Sequence, residues 1–452
     1  MLKKTSQVGL ILFVLLVATS LLVFTGCGRG VNLKGADITI ASWWQNYDTN
    51  TYEARSESEE KELDWRRKAE SEHGFKLVVE QIADYDNYFT VMINHIMSGN
   101  KKFGIYQTGA DMAVTLYKQG LLYPVSDSKA VDFKNRTIEP FVRNAYNGLV
   151  DEFMTYGGKT YGWTYGLPNN TWGQAFLYFN PRFLTEAGLS ADHLYDLQKD
   201  NNWTWDTFLD VCRRLTRDTN NDGITDIYAL PIDDAREFIS GLVFGNGGDF
   251  VTLDAQGKAH SAVNSPNVIE AINFFNQLIT EGLVWTTPWY DWGQNWTAFV
   301  DQRVAMTFDP EWRKGQMNDG FDAGYVLPPR GPRSTKLRLG AMDGAWIIPA
   351  FFSPDEVDVI LKASEIWNAP PDADWLQGHY WASRNLRDVT ESVAMSRDVQ
   401  YLTPRYEQVI SGYPYGDFIA EIRGEGLGNV NASQAIEAWM PSFMSAIDDY
   451  NR

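Results

Sequence analysis

Residues 157–181 read GGKTYGWTYGLPNNTWGQAFLYFNP, and this stretch contains the change of pattern that decides the fold. Two glycines open it, aromatic residues follow, and an apolar run over Ala175–Phe179 ends at Asn180-Pro181. Glycine frees the backbone, whereas proline interrupts ladders and helices. We interpret the stretch as the first crossing between two lobes, with a ligand cleft beside it. The alternative is a hairpin whose aromatic side chains fill a core.

The composition is that of a soluble globular protein with an unusual number of aromatic residues. The 452 residues are enough for two or three domains, and 44% are hydrophobic and 21% charged. The chain has 17 Trp, 22 Tyr and 24 Phe. Many of these must lie in the core, but indole rings also stack on the apolar faces of sugars. The net charge of −19 argues against a nucleic-acid partner, whose phosphates would be repelled.

Residues 1–27 have the pattern of a targeting segment outside the fold. A basic start is followed by the apolar run Val8–Phe24 and then by Thr25-Gly26-Cys27. This ending resembles a bacterial lipoprotein signal, in which Cys27 becomes the acylated first residue, although Phe24 stands where leucine is usual. Residues 28–36 are predicted to be a tether. The alternative is an uncleaved membrane anchor, and with either one the body of the protein lies outside the cytoplasm.

Strands and helices alternate along the first part of the body. Strands are predicted at Asp37–Ser42, Phe75–Gln81 and Gly104–Gln107, with a helix after each. Short connections between such elements favour a largely parallel α/β sheet, in which ligands bind at the carboxyl ends of the strands. Trp43, Trp44 and Asp111 fall at such ends. Further helices are predicted at 205–216, 265–280, 354–368 and 432–450.

The segment DTNNDGITD, from Asp218 to Asp226, has the spacing of a calcium-binding loop. Oxygen ligands at positions 1, 3 and 5, the carbonyl at position 7 and a carboxylate at position 9 surround a glycine at position 6. Oxygen ligands favour Ca²⁺ over transition metals, so we expect a structural calcium ion. The alternative is a polar Asx turn, because position 12 lacks the usual glutamate. The predicted metal ligands are Asp218, Asn220, Asp222, Ile224 and Asp226.

Motifs of the common catalytic sites are absent from the sequence. It contains no H-E-x-x-H, no G-x-S-x-G and no phosphate-binding G-x-x-x-x-G-K. The five histidines are scattered without the spacing of metal ligands. These observations predict a binding protein and not an enzyme.

Five segments occur in a fixed order along the chain: GADMAVTLYKQGLLYPVSD (109–127), FLYFNPRFLTEAGL (176–189), WTWDTFLDVCRRLT (203–216), FGNGGDFVTLDAQGKAHSAVNSPNVIEAINFFNQLI (244–279) and QRVAMTFDPEW (302–312). Together they resemble the extracellular solute-binding proteins of bacterial ABC importers, in the family that takes sugars and oligosaccharides. In the last segment, Gln-Arg replaces the family's Gly-Lys and Pro-Glu replaces its glycine. The resemblance covers nearly all of residues 37–452.

The resemblance implies an α/β fold of two lobes, like the type II fold of periplasmic binding proteins, with a hinge and a ligand cleft between the lobes. It places the N-terminal lobe at 37–165 plus 340–390 and the C-terminal lobe at 166–339 plus 391–452. Closure of such a hinge traps a ligand without chemistry.

The resemblance also implies that aromatic platforms and hydrogen-bonding side chains line the cleft. A sugar in a closed site needs partners for its hydroxyl groups, because unpaired polar groups are costly there. Each candidate could instead be a core, surface or capping residue. The ligand-binding candidates are Trp43, Trp44, Asp84, Asp111, Trp172, Trp292, Asp309, Trp312, Asp343, Trp346, Arg384 and Tyr413, with Trp285, Trp289, Trp296 and Tyr415 as additions.

The sequence therefore predicts a monomeric, lipid-anchored receptor that binds a carbohydrate and delivers it to an ABC permease. A secreted glycoside hydrolase is one alternative, since it would share the excess of tryptophan and needs only two carboxylates about 5–10 Å apart. A sugar-sensing or adhesion lipoprotein without a permease is another. Recovery of the ligand unchanged would distinguish a receptor from a hydrolase.

Overall fold

The computed structural model describes residues 30–54, 57–131, 154–163, 171–174, 176–232, 235–286, 293–310, 313, 322–343, 345–369, 392, 395, 400–424 and 430–452. For 57–58, 110, 171–174 and 342–343 it describes the backbone alone. The predicted signal segment and Cys27 lie outside this part of the chain.

The strands are β1 (Asp37–Ser42), β2 (Lys76–Gln81), β3 (Ile105–Thr108), β4 (Thr155–Tyr156), β5 (Lys159–Thr160), β6 (Gly162–Trp163), β7 (Thr171–Gln174), β8 (Phe176–Phe179), β9 (Leu230–Pro231), β10 (Val251–Leu253), β11 (Ala259–Ser261), β12 (Val284–Trp285), β13 (Met306–Asp309), β14 (Gly324–Val326), β15 (Leu339–Asp343), β16 (Ala345–Ile347) and β17 (Leu402–Pro404). The helices are α1 (Glu57–His73), α2 (Tyr85–Met97), α3 (Ala110–Lys118), α4 (Pro181–Glu186), α5 (His193–Lys199), α6 (Trp205–Leu215), α7 (Ala235–Gly245), α8 (Pro266–Thr280), α9 (Gln294–Val300), α10 (Pro354–Trp367), α11 (Tyr415–Arg423) and α12 (Ala432–Asn451).

The first sheet contains the strands β2-β1-β3-β16-β6 in that order, within the described residues. Its parallel half forms as the sequence predicts, because β1 pairs in parallel with both β2 and β3. The other half consists of β16 and β6, which are antiparallel. Both faces of the sheet carry buried apolar side chains, with Ile40 and Ile105 on one face and Ala41 and Tyr106 on the other.

The second sheet is antiparallel and has β8 at its centre, between β13 and β14. All four residues of β8, FLYF, are buried, which explains its unbroken apolar sequence. Helices α6, α7 and α8 contribute Phe208, Ile239 and Phe275 to the core around this sheet. We call this cluster the second core.

A third sheet, the crossing sheet, connects the other two. It has the order β17-β15-β7, with β15 antiparallel to β7 and parallel to β17. One residue beyond β15 the chain enters β16 of the first sheet, and one residue beyond β7 it enters β8 of the second sheet. The stretch that opens at residue 157 therefore passes from the first sheet to the second. The exact lobe boundaries stay a prediction.

Helix α7 was not predicted from sequence periodicity. Its sequence AREFISGLVFG is apolar nearly all the way round, and the side chains from Phe238 to Gly245 are all buried. A helix surrounded by core has no polar stripe, so the 3.6-residue pattern that reveals surface helices is missing.

No helix in the described part of the chain is long and apolar enough to span a membrane.

Candidate ligand-binding cleft

An exposed indole lies at the carboxyl ends of β1 and β3. Trp44 follows β1, and its side chain is 56% exposed. Its Nε1 donates a hydrogen bond of 3.0 Å to Oε1 of Gln107 in β3, which also accepts from the hydroxyl of Ser42 at 3.1 Å. These contacts hold one edge of the ring while its surface remains accessible.

Tyr85 extends this aromatic surface, and the sequence analysis missed it. Its ring meets that of Trp43 edge to face at a centroid distance of 5.8 Å, and Trp43 packs on the buried Tyr88 at 5.3 Å. The available signal was a large aromatic residue at the start of the helix that follows β2. Trp43, Trp44 and Tyr85 are the aromatic group referred to below.

Tyr85 is exposed to solvent but has charged neighbours. Its side chain is 62% exposed to solvent, yet surrounding protein raises its pKa. The phenol ring is therefore accessible to solvent although protein lies near it. The charge of Asp111 also raises this pKa, whereas Arg236 lowers it. Because Arg236 belongs to α7 of the second core and Asp111 to α3, charges from both halves of the molecule act on Tyr85.

Asp111 is in the first turn of α3, immediately beyond β3. Burial raises the pKa of its carboxyl group, while the backbone N–H groups of Met112 and of Asp111 itself act in the opposite direction. These amides belong to a helix N-terminus, which stabilises negative charge. The carboxylate is thus suited to accept hydrogen bonds from hydroxyl groups of a neutral ligand.

Two of the predicted acidic ligand contacts have structural partners. Asp84 is the N-cap of α2 and accepts from the backbone N–H of Asn87 at 3.0 Å. Asp309 is buried, and its carboxylate accepts from the hydroxyl of Thr307 at 2.7 Å and from Nε of Arg313 at 3.3 Å. These contacts give both carboxylates a structural role, and their part in ligand binding stays a prediction.

Several aromatic candidates pack against other rings. Trp346 meets the buried Trp163 edge to face at 6.4 Å. Tyr413 stacks on Phe443 at 5.0 Å, and its hydroxyl donates to a backbone carbonyl of the second core at 3.4 Å. Trp296 and Tyr415 are buried, whereas Trp285 is half-buried.

Other candidates lie at positions where side chains are not described. Trp172 and Asp343 are on the paired strands β7 and β15 of the crossing sheet. Four candidates lie outside the described residues: Trp289, Trp292, Trp312 and Arg384.

The predicted calcium loop is closed by hydrogen bonds to its own side chains. The Asp218 carboxylate accepts from the backbone N–H groups of Asn221 and Gly223, both at 2.7 Å, and Gly223 has a φ of +87°. Asp226 accepts from the N–H of Thr219 at 2.7 Å, and the hydrogen bonds of Thr219 lower the pKa of that carboxyl group. The described part of the chain holds no group of three or more His, Cys, Asp or Glu side chains arranged for a metal ion. Ile224, whose carbonyl oxygen is the fourth of the five predicted ligands, is exposed.

A family model for bacterial extracellular solute-binding proteins matches residues 64–358. The chain belongs to this family. Its members are binding proteins, and the family places this one outside the cytoplasm. Among curated proteins, none matches the chain significantly.

Solved structures with the same fold support this assignment. The GacH receptor of Streptomyces glaucescens has a TM-score of 0.60 and 16% identity over 90% of this chain and 98% of its own. A cyclic α-maltosyl-1,6-maltose binding protein from Arthrobacter globiformis has a TM-score of 0.64 and 14% identity, over 92% and 99%. UgpB from Mycobacterium tuberculosis has the same four values. This solute-binding protein therefore has the predicted two-lobed α/β fold of periplasmic binding proteins.

Proposed function

We propose that this solute-binding protein is a lipid-anchored receptor that binds an oligosaccharide between its two lobes and delivers it to the permease of an ABC importer. The observation that carries the proposal is the aromatic group, Trp43, Trp44 and Tyr85, at the carboxyl ends of β1 and β3. Accessible rings offer flat apolar faces to sugar rings, and the adjacent Gln107 and Asp111 offer hydrogen-bond partners.

Structural relatives support a carbohydrate as the ligand class. The GacH receptor has been solved with acarbose, and a Listeria monocytogenes substrate-binding protein with cycloalternan. An ABC transporter associated binding protein from B. animalis subsp. lactis has been solved with β-1,6-galactobiose, and a cyclo/maltodextrin-binding protein with maltotetraose. One relative differs, since UgpB has been solved with glycerophosphocholine. Several neighbouring rings, two of them accessible, favour an oligosaccharide over this smaller phosphodiester.

The proposal of a membrane anchor rests on the sequence alone. Cys27 ends an apolar run of the kind that precedes the acylated residue of bacterial lipoproteins. Two acyl chains on this residue would suffice for stable attachment at the membrane.

Thermal unfolding of residues 28–452 with single oligosaccharides tests the proposal. Maltotetraose, cycloalternan, β-1,6-galactobiose and acarbose form the panel, and glycerophosphocholine serves as the comparison from another ligand class. A ligand at about 100 times its Kd adds about 2.7 kcal/mol to the free energy of unfolding. For lobes of this size we expect the Tm to rise by about 5–10 °C.

The test variant is Trp44→Ala, which removes an exposed ring without opening the core. We expect it to keep the Tm of the free protein and to reduce the shift. Recovery of the oligosaccharide intact after incubation supports a receptor, whereas release of smaller sugars would identify a hydrolase. A shift with glycerophosphocholine alone would refute the sugar assignment.

A further inference from the structure

Arg405 is a fully buried cation at the end of the crossing sheet. It follows β17 directly, and its side chain has no exposed surface. Its backbone N–H donates to the carbonyl of Ala341 in β15 at 3.2 Å. The guanidinium donates from Nε to Glu407 at 2.7 Å, from Nη1 to both oxygens of Glu237 at 3.2 and 3.3 Å, and from Nη2 to the hydroxyl of Ser240 at 3.0 Å.

This arrangement fixes the guanidinium in one position. A buried charge is unfavourable unless it is paired and hydrogen-bonded, and here two carboxylates and a hydroxyl meet the planar donors. The ring centroids of Phe244 and Tyr415 lie 5.7 and 5.6 Å from Cζ of Arg405. Glu407 is itself buried, so removal of Arg405 would leave a carboxylate without compensation.

Three of these contacts reach one turn of α7. Glu237 and Ser240 both belong to the start of that helix. The hydroxyl of Tyr415 adds a bond to the carbonyl of Arg236 at 2.8 Å and a second contact to Ser240. The same turn carries the Arg236 side chain, which interacts electrostatically with Tyr85 in the cleft.

We propose that Arg405 is a positioning residue that ties the first turn of α7, and with it the cleft face of the second core, to the crossing strands β15 and β17. The crossing strands β15 and β17 and the first turn of α7 then move together when the lobes close. The inference rests on the proposed function, because the turn of α7 that Arg405 holds would face the bound sugar.

Hydrogen exchange of the free protein tests the proposal without any sugar. The amides of Ile239, Ser240 and Gly241 are the reporters, because in an α-helix they donate to the carbonyls four residues earlier, in the first turn. Glu237→Gln removes the charge that Arg405 contacts on α7, and Arg405→Met removes the cation. The matched control is Ile436→Ala, which opens a cavity in α12 of the same core and changes no charge.

We expect Glu237→Gln to speed exchange at the three reporters about tenfold, since it weakens charge-assisted hydrogen bonds. Its Tm should fall less than that of Arg405→Met, because the buried guanidinium loses one carboxylate charge but still faces Glu407. Arg405→Met should have the same local effect together with a lower Tm. Ile436→Ala should lower the Tm without a selective increase in the exchange rates of the three reporter amides.

Unchanged reporters in Glu237→Gln, or exchange that rises evenly through the second core, would overturn the proposal and leave Arg405 a general stabilising role. If Arg405→Met does not fold, Glu237→Gln decides the question alone. Failure of every sugar in the binding panel would refute the proposed function but would leave the exchange result unaffected.

Discussion

At Gly340 the crossing strand β15 has no room for a side chain. A Cβ there would lie 2.5 Å from Cε2 of Phe244 and 3.2 Å from Cδ of Arg405. Both neighbours are buried, so neither can move away freely. We expect Gly340→Ala to lower the free energy of unfolding by about 1–3 kcal/mol, the usual cost of overpacking, as measured by urea denaturation.

Gly416→Ala is the matched control for this prediction. Gly416 lies within α11, and no atom stands within 4 Å of the Cβ it would gain. Alanine favours helix more than glycine does, so this variant should be neutral or more stable by up to about 1 kcal/mol. Equal losses in the two variants would contradict the close approach at Gly340.

Asp111 predicts a specific dependence of stability on pH. Burial raises its pKa in the folded protein, so its contribution to stability is complete below the pKa of the unfolded chain and is lost as the pH rises through the folded pKa. We therefore expect Asp111→Asn to have a slightly higher Tm than the wild type at pH 7. The difference should disappear near pH 3.

The binding measurement separates this effect from function. Asp111→Asn should lose most of the Tm shift with the oligosaccharide that binds the wild type, because asparagine has one acceptor where the carboxylate has two. Asp37→Asn, at an exposed position in β1, is the control and should retain the shift. A variant Asp111→Asn that is less stable at pH 7 would contradict the assigned cause of the pKa shift.

Helices α10 and α8 both begin with serine followed by proline, but only one of the serines acts as a side-chain cap. Ser353 and Glu356 form a capping box at α10, in which the N–H of Ser353 donates to the Glu356 carboxylate at 2.8 Å. We expect Ser353→Ala to cost about 1 kcal/mol in urea denaturation. Ser265 makes no side-chain cap bond at α8, so Ser265→Ala should stay within about 0.5 kcal/mol of the wild type. The prediction fails if the two substitutions cost the same.

The loop between Asp218 and Asp226 remains a predicted calcium site. Its carboxylates already order the loop through backbone N–H groups, and a bound ion would join them across the turn. We expect millimolar Ca²⁺ to raise the Tm after treatment with EDTA, and Asp222→Asn to weaken this response with little effect on the metal-free Tm. Identical melting with EDTA and with Ca²⁺ would show that the Asx turns suffice.

We propose that attachment of the whole protein to the membrane depends on acylation of the Cys27 thiol. We expect Cys27→Ser to move the protein from the membrane fraction to the extracytoplasmic fluid and to stop incorporation of labelled fatty acid. The control is Cys212→Ala, because this thiol is buried in α6 and does not reach solvent. Persistence of Cys27→Ser in the membrane fraction would instead indicate that the apolar segment itself is the anchor.

Local patterns in the sequence predicted much of the architecture. Strand β1, helix α8 with its first-turn proline and helix α6 with its apolar face all form within a few residues of the predicted bounds. Short-range sterics and periodic burial control these elements, and both depend on residues that are close together in the sequence. The order of the five family-like segments also predicted the family, which the match over 64–358 confirms.

Only the tertiary structure decided which distant residues meet. It placed β16 beside β3, made α7 a buried helix without a polar stripe, and brought Tyr85 next to Trp43. It also paired Arg405 with Glu237, 168 residues earlier in the chain. Such contacts follow from how apolar surfaces cover one another and how buried charges find partners, and no local pattern encodes either.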